Sequence, residues 1–289
     1  MKIKYLGTAA AEALPALFCN CSLCRHAREV GGKEIRTRSQ TLINDDLLID
    51  FGPDTYFHVI RDGLDLSKIR TLLITHAHED HYTPSELDYR RHGFAYLDGD
   101  RASDDSDFPE LDVYISRRSY KYFGVIKFEK KYLAKVNCPV RFHHPEAFEP
   151  FISGKYSITP LEANHAPGMD AFIYLITDGE KTILYAHDTG LLPEKDYSYM
   201  KYAGVKLDLV SLDCTGMAAT HNTGNGRHMN LERNKITRAR LIEDGAADEN
   251  TIFVCNHFSH NGQSTHEQLC RIMGGEGFEV SFDGMEIDL

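Results

Sequence analysis

The stretch Thr75-His76-Ala77-His78-Glu79-Asp80-His81 places three histidines and one aspartate within six residues. It follows an apolar run, residues 71–75, which predicts a buried strand ending at this loop. A loop folded around one point can direct His76 and His78 at one cation and Asp80 and His81 at a second. Imidazole and carboxylate together suit zinc, manganese, iron or nickel. A solvated polar loop is the weaker alternative, because such a density of histidine is improbable by chance in a chain with 15 histidines.

This run resembles the His-x-His-x-Asp-His signature of the metallo-β-lactamase superfamily. Three further candidate ligands each follow a predicted strand in the order the resemblance requires: His165 after residues 156–163, Asp188 after 181–186 and His257 after 251–255. The resemblance covers residues 1 to about 275. It implies the αββα sandwich of that superfamily, an α/β fold in which two mixed sheets are flanked by helices.

The resemblance also implies a dinuclear centre for two divalent ions, zinc, manganese or nickel. Seven residues match its ligand positions: His76, His78 and His165 for the first ion, Asp80, His81 and His257 for the second, and Asp188 as the bridge. Because carboxylate and imidazole accept several metals, the ligand set alone does not select one of them.

Each of the later ligands has an ordinary structural alternative. His165 could be a loop histidine, and its rivals are His143 and His144, which lack the hairpin that leads on to Asp188. Asp188 itself could cap a helix, and His257 could be a core histidine. The order of all three along the chain favours the metal-binding interpretation.

A second candidate metal site lies near the N-terminus. Cys19, Cys21 and Cys24 fall within six residues, and His260 stands three residues after His257. Three thiolates and one imidazole form a closed structural zinc site. Three free core cysteines are the alternative, and a reducing compartment favours metal ligation over disulfides.

The cysteine motif and the His-x-x-His motif near the end of the chain point to one family within the superfamily. Together they are similar to the phosphoribosyl cyclic-phosphate phosphodiesterases of phosphonate degradation, whose relatives include tRNA 3′-processing nucleases and a protein of pyrroloquinoline quinone biosynthesis. The resemblance implies a metal-dependent hydrolase of a small phosphodiester, cyclic or acyclic. A tRNA 3′-processing-type nuclease and a hydrolase of a carboxyl-type bond such as a lactone remain alternatives, because a fold alone does not select the bond.

The resemblance further implies a mechanism in which two cations about 3.5–4 Å apart share the attacking hydroxide. Asp80 is a candidate catalytic residue as well as a ligand. His228 is the candidate donor of a proton to the leaving alkoxide, because imidazole titrates near neutral pH. The alternative for His228 is a surface-loop histidine, and Arg227 is a weaker candidate for a phosphate contact.

Predicted strands and helices alternate through both halves of the chain, as in two packed sheets covered by helices. The strands are predicted at residues 1–6, 40–44, 47–50, 71–75, 156–163, 171–177, 181–186, 207–212 and 251–255. The helices are predicted from Pro84, over 231–242 and over 265–273 with Ser264 as the N-cap. We therefore expect one domain, residues 1–289, with an insertion or lid-like segment at about 96–150 that contains seven acidic residues within 98–112.

Composition narrows the class of partner. A net charge of −11 argues against a broad nucleic-acid footprint, since phosphate backbones are bound by Lys and Arg, so a small-molecule phosphodiester is the expected substrate. The sequence shows no apolar run of a signal peptide or a membrane span, which predicts a cytoplasmic protein without membrane contact. Relatives tend to form dimers, so the resemblance also allows a homodimer.

Overall fold

Two seven-stranded sheets are present within the residues that the computed structural model describes, which are 1–91, 93–96, 109–122, 138–219 and 226–289. The first sheet consists of β1 (Lys2–Gly7), β2 (Gln40–Ile43), β3 (Leu47–Ile49), β4 (Thr71–Leu73), β5 (Leu111–Tyr114), β6 (Val140–His143) and β14 (Met285–Asp288). The second consists of β7 (Phe151–Ser153), β8 (Tyr156–Glu162), β9 (Phe172–Thr177), β10 (Thr182–Ala186), β11 (Leu209–Asp213), β12 (Ile252–Asn256) and β13 (Glu279–Val280). The predicted αββα fold class is confirmed.

The helices cover the outer faces of the sheets. They are α1 (Ser22–Val30), α2 (Thr55–Asp62), α3 (Arg117–Tyr122), α4 (Glu194–Tyr202), α5 (Leu231–Glu243) and α6 (His266–Gly274). The element predicted from Pro84 is a 3₁₀ helix, Pro84–Arg90. The predicted N-cap Ser264 is wrong: Thr265 caps α6, because Gln268 completes a reciprocal capping box with it. No described helix combines the length and apolarity needed to cross a membrane.

Strand direction gathers the ends of several strands at one edge. In the first sheet β3, β4, β5 and β6 are parallel. In the second, β7 to β10 form an antiparallel meander, and β10 to β13 are parallel. Strands β8, β10, β11 and β12 therefore point the same way. Because their carboxyl ends share one edge, the residues that follow them converge on one cleft.

The core is divided into layers by the two sheets. Between the sheets lie large side chains such as Tyr5, Tyr174 and Ile176. The outer face of the second sheet packs against the helices, with Leu212 and Leu241 among the buried contacts. The outer face of the first sheet forms a separate apolar cluster. Alternate residues along each strand thus enter different layers, as the pleat requires.

The predicted segment at 96–150 is described only in part. Residues 97–108 and 123–137, and with them most of the acidic stretch 98–112, lie outside the described residues. The described portions include β5 and β6, which extend the first sheet. An insertion or lid in the remainder stays a prediction.

A buried carboxyl in α4 provides a test of the packing. Asp196 is fully buried; its Oδ1 accepts a hydrogen bond from the amide of Glu162 (3.3 Å), and Oδ2 has no hydrogen-bond partner within the described chain. Burial raises the pKa of Asp196 to about 8. The unfolded chain releases this proton near pH 4. The free energy of unfolding should therefore fall as the pH rises from about 4 to about 8.

Asp196→Asn removes this titration while preserving the shape of the side chain. Between pH 5 and pH 8 the variant should gain about 2–4 kcal/mol in stability relative to the unmodified chain. Urea unfolding of both proteins at the two pH values, with matched metal, measures this change. Glu249→Gln, at an exposed carboxyl, is the control. A pH-independent difference between Asp196→Asn and the unmodified chain would contradict the assignment.

Candidate metal centre

The histidine-rich loop begins after β4 and is held by a buried carboxylate. Asp50 has a φ of 65° and accepts hydrogen bonds from the amide (2.8 Å) and the hydroxyl (2.9 Å) of Thr75. Oδ2 of Asp50 lies 2.7 Å from Nδ1 of His81, which turns Nε2 of that ring into the cluster. A Cβ on Gly52 would lie 2.1 Å from the carbonyl oxygen of Asp80. Glycine is therefore required where the two backbones meet.

The first group of candidate ligands consists of His76, His78, His165 and Asp188, whose ligand atoms all lie within 4.8 Å of one another. Nδ1 of His78 is 2.7 Å from Nε2 of His76 and 3.3 Å from Nε2 of His165. Nδ1 of His165 lies 3.3 Å from the carbonyl oxygen of Arg227, which leaves Nε2 directed at the group. These nitrogens can therefore bind one cation together.

The second group consists of Asp80, His81, His257 and the same Asp188. Nε2 of His81 lies 3.2 Å from Oδ2 of Asp80. Within the described residues, the buried Nε2 atoms of His81 and His257 have no hydrogen-bond partner. Buried polar atoms without partners are costly in a protein interior. A divalent cation would satisfy both nitrogens, so the residues present fit a metal ion.

One carboxylate oxygen connects the two groups. Oδ2 of Asp188 lies 3.1 Å from His81, 3.2 Å from His76, 3.4 Å from His165 and 3.9 Å from His257, measured to Nε2 in each ring. Burial opposes ionisation, but the surrounding histidines hold the pKa of Asp188 well below its usual range. The residue has a φ of 55°, a left-handed conformation that is strained for a non-glycine residue and is frequent at functional sites.

His228 lies beside this centre and is held by Asp213. Nδ1 of His228 is 3.1 Å from Oδ2 of Asp213 and 3.1 Å from Oδ1 of Asp188. Oδ2 of Asp213 also lies 3.3 Å from Nδ1 of His257. Burial opposes protonation of His228, but the charge of Asp213 raises its pKa to about 9. A ring held through Nδ1 keeps Nε2 available for another group.

Asp50 and Asp213 are site residues that sequence reasoning did not identify. Each hydrogen-bonds or pairs with a predicted ligand rather than belonging to the signature, and both side chains are fully buried. The available signal was their position: Asp50 ends the predicted strand 47–50 and Asp213 follows the predicted strand 207–212. Aspartates at the ends of buried strands are therefore candidates for orienting metal-ligating histidines.

The cysteine cluster forms a second, separate group. Cys19, Cys21, Cys24 and His260 have ligand atoms within 4.8 Å of one another. Nδ1 of His260 lies 3.5 Å from Sγ of Cys19 and 3.6 Å from Sγ of Cys21. Although burial opposes it, hydrogen bonds from the Cys24 amide and His260 lower the pKa of Cys21. The four residues fit a tetrahedral zinc ion in ligand type and proximity.

The rival histidines occupy other places. His143 pairs with Asp112 (2.6 Å), and His144 lies 3.1 Å from the carbonyl oxygen of Ile115. His187 comes directly after β10, and its Nε2 lies 2.6 Å from the Ser211 hydroxyl, between the two sheets. Three further histidines contact side chains outside both ligand groups: His26, His58 and His266. His92 and His221 lie outside the described residues.

Comparisons with known structures support the fold. The fold is similar to a structure described as a new diphosphatase from the PhnP family, at 19% identity and a TM-score of 0.71, covering 99% of this chain and 97% of that chain. It is also similar to the structure of Zn²⁺-bound PqqB from Methylobacterium extorquens, at 17% identity and a TM-score of 0.73, with complete coverage of both chains. The fold is also similar to that of the short form of human tRNase Z, at 15% identity and a TM-score of 0.62, covering 100% of this chain and 99% of that chain. No curated protein sequence gives a significant match.

Residues 46–245, well over half of the chain, match the family model described as the β-lactamase superfamily domain. That match covers six of the seven predicted ligands of the centre, all but His257, and the two-sheet architecture agrees with it. The resemblance predicted from the His-x-His-x-Asp-His run is thereby confirmed. The chain belongs to the metallo-β-lactamase superfamily and is a hydrolase of that fold.

Proposed function

We propose that the chain is a metal-dependent phosphodiesterase acting on a small phosphodiester, cyclic or acyclic. Two divalent ions, zinc, manganese or nickel, would bind at the histidine and aspartate groups. Their ligands would be His76, His78 and His165 for the first, Asp80, His81 and His257 for the second, and Asp188 for both. The net charge of −11 favours a small substrate over nucleic acid.

The observation that carries the proposal is the position of Asp188 between the two groups. Its Oδ2 faces histidines of both groups at 3.1–3.9 Å. A shared carboxylate oxygen keeps two ions close together, and ion pairs about 3.5–4 Å apart suit in-line displacement at phosphorus. The two ions, when bound, would neutralise charge on the phosphoryl oxygens and lower the pKa of a bound water.

The side chains of the centre supply the rest of the chemistry. His228 is the proton donor in this proposal, because its Nδ1 is held by Asp213 and Nε2 remains available for the leaving oxygen. The pKa of Asp80 lies well below its usual range: burial opposes ionisation, but the charge of His81, whose Nε2 lies 3.2 Å from Oδ2 of Asp80, favours the carboxylate. An ionised Asp80 is suited to accept a hydrogen bond from the attacking water.

Two of the similar structures support a phosphorus-centred reaction. One is described as a diphosphatase and another as a tRNase Z. Both names imply cleavage at phosphorus, but on substrates of different size. A nuclease of the tRNase Z type is the second candidate, favoured by that similarity and opposed by the acidic charge of this chain.

Hydrolysis of bis(p-nitrophenyl) phosphate beside p-nitrophenyl phosphate tests the proposal. The metal-quantified protein should hydrolyse the diester but not the monoester, with manganese, nickel or zinc added, and should lose activity on chelation. Turnover of a 3′-extended transfer RNA in preference to small diesters would move the assignment to the nuclease. Turnover of a lactone without turnover of any phosphodiester would replace the phosphodiesterase by a carboxyl-type hydrolase.

We also propose that Cys19, Cys21, Cys24 and His260 bind a structural zinc ion. His260 stands three residues beyond His257, so this ion would brace the loop that carries a ligand of the catalytic centre. Zinc in such a closed site contributes directly to folding stability.

Cys24→Ser should remove one zinc ion per chain and lower the melting temperature by roughly 10 °C. Metal analysis and thermal unfolding in parallel measure the two effects. Cys270→Ser is the matched control, because Cys270 is exposed and stands apart from the cluster. An unchanged zinc content in Cys24→Ser would remove the structural zinc from the proposal.

A further inference from the structure

A buried arginine lies behind the loop that carries His257. The side chain of Arg36 is only 1% exposed and is among the largest side chains that the described residues bury completely. Burial lowers the pKa of Arg36 to about 10, so the guanidinium is still charged at neutral pH. A charge inside a protein is costly unless it is paired and hydrogen-bonded. The contacts of the guanidinium must therefore offset this cost.

The guanidinium hydrogen-bonds to three separate segments of the chain. Nη1 of Arg36 donates to the Thr8 hydroxyl at 2.8 Å and to the Ser281 carbonyl oxygen at 2.7 Å. Nη2 lies 3.0 Å from Nδ1 of His266. Burial and the charge of Arg36 lower the pKa of His266 to about 4, so this ring is neutral and can accept the hydrogen bond. The Thr8 hydroxyl in turn donates to Oδ1 of Asp283 at 2.7 Å, which brings a carboxylate close to the buried cation.

The face of the guanidinium contacts Phe258, the residue that follows His257. Cζ of Arg36 lies 4.4 Å from the centre of the buried Phe258 ring, which is within the range of a cation–π interaction. The backbone of Phe258 pairs with the loop after β1. Its amide donates to the carbonyl oxygen of Thr8 (2.9 Å), and its carbonyl oxygen accepts from the amide of Ala10 (3.0 Å). Arg36 thus contacts both sides of this pairing, the clasp formed by residues 8–10 with Phe258.

The clasp adjoins a candidate ligand with an unfavourable backbone conformation. His257 has a φ of 61°, in the left-handed region that few residues with a side chain adopt. Such a conformation persists only where the surrounding structure imposes it. Within the described residues, the buried Nε2 of His257 has no hydrogen-bond partner, and this nitrogen is the atom proposed to bind the second ion. The direction of the ring therefore depends on how firmly the adjoining Phe258 is held.

We propose that Arg36 is a positioning residue for the second ion, because its guanidinium fixes Phe258 and thereby the direction of the His257 ring. The inference rests on the metal centre of the proposed function and not on the identity of the substrate. Arginine suits this role because its planar group donates in several directions within the plane and leaves a face free for an aromatic ring. Buried charges contribute little net stability, so replacement of Arg36 should affect metal binding more than folding.

Release of manganese from Arg36→Met tests the inference. A chelator is titrated into the manganese-loaded full chain, and electron paramagnetic resonance distinguishes an exchange-coupled ion pair from a single ion. We expect the second ion to bind about tenfold more weakly in the variant, the lower end of the usual effect of groups that orient metal ligands. The first ion should bind as before, because the clasp contains none of its ligands. Unchanged binding of both ions, or an equal loss of both, would overturn the proposal.

Two further variants make the test specific to the contact with Phe258. Arg61→Met removes a second cation that pairs with Asp283 (2.8 Å) and whose other hydrogen bonds go to β1 and α2, and it should leave the binding of both ions unchanged. Phe258→Leu keeps an apolar side chain without the ring and should weaken the second ion as Arg36→Met does. In Arg36→Met/Phe258→Leu the two losses should not add, since both variants break one contact. Additive losses would show that Arg36 acts by another route and would overturn the proposal.

A folding defect in Arg36→Met, detected by circular dichroism, would transfer the test to Arg36→Lys. Lysine keeps the positive charge but lacks the planar group, so the second ion should again bind more weakly than the first, and binding equal to that of the unmodified chain would overturn the proposal. The result is separable from that of the proposed function. An unmodified chain without a coupled ion pair would contradict the dinuclear centre, and the inference with it. A coupled pair that Arg36→Met leaves unaffected would contradict the positioning role alone.

Discussion

Replacement of Asp188 by alanine is expected to lower diester hydrolysis on the order of 10³-fold or more and to release metal from both halves of the centre. The expectation follows from geometry, because one oxygen of this carboxylate lies within 3.1–3.9 Å of Nε2 in four histidines from both ligand groups. Its removal leaves the first group without an anionic ligand and the second group with Asp80 alone, in a buried site. Metal analysis should find the cysteine-bound zinc retained and both other ions reduced.

Two further variants make the test specific to a bridge. Asp80 belongs to the second group only, so Asp80→Ala should lower the content of one ion and leave the first group occupied. Asp65→Ala removes an exposed carboxylate from a distant loop and should alter neither metal content nor turnover. If Asp188→Ala lost a single ion, as Asp80→Ala is expected to, Asp188 would be a ligand of one half and the bridging role would be wrong.

The sequence identified candidate ligands that the fold brings together, because the signature is local. His76, His78, Asp80 and His81 lie in one loop, and the later ligands each follow an apolar strand that periodicity identifies. The hairpin of β9 and β10 at Asp178 was also recognised, because turn chemistry is carried by adjacent residues. Local patterns thus predicted most of the second sheet.

Elements that depend on distant contacts were not predicted. Strand β14 pairs with β1 at the other end of the chain, and a short strand of mixed polarity has no local feature that reveals this pairing. Asp50 meets His81 across 31 residues of sequence. The N-cap of α6 was misplaced by one residue, because Ser264 and Thr265 are both good caps and only the contact with Gln268 decides between them.

His228→Ala is expected to slow diesters with alkyl leaving groups by about 10²–10⁴-fold, the usual contribution of a general acid. Aryl esters with a nitrophenyl leaving group should lose far less, since nitrophenolate is a good leaving group without a proton. Adenosine 2′,3′-cyclic phosphate and bis(p-nitrophenyl) phosphate provide the two classes. Equal losses on both substrates would remove His228 from the acid role.

A variant of Asp213 tests whether His228 donates a proton or has only a structural role. Oδ2 of Asp213 lies 3.1 Å from Nδ1 of His228 and 3.3 Å from Nδ1 of His257. Asp213→Asn should therefore show the same preference for nitrophenyl esters and, in addition, a lower metal content in the second half of the centre. His228→Ala should keep both ions, because neither of the two groups of proposed ligands includes it. If His228→Ala keeps its metal content and loses activity mainly on substrates with alkyl leaving groups, His228 is the proton donor. Loss of metal in His228→Ala would instead make this histidine a ligand, and the leaving group would then need another acid.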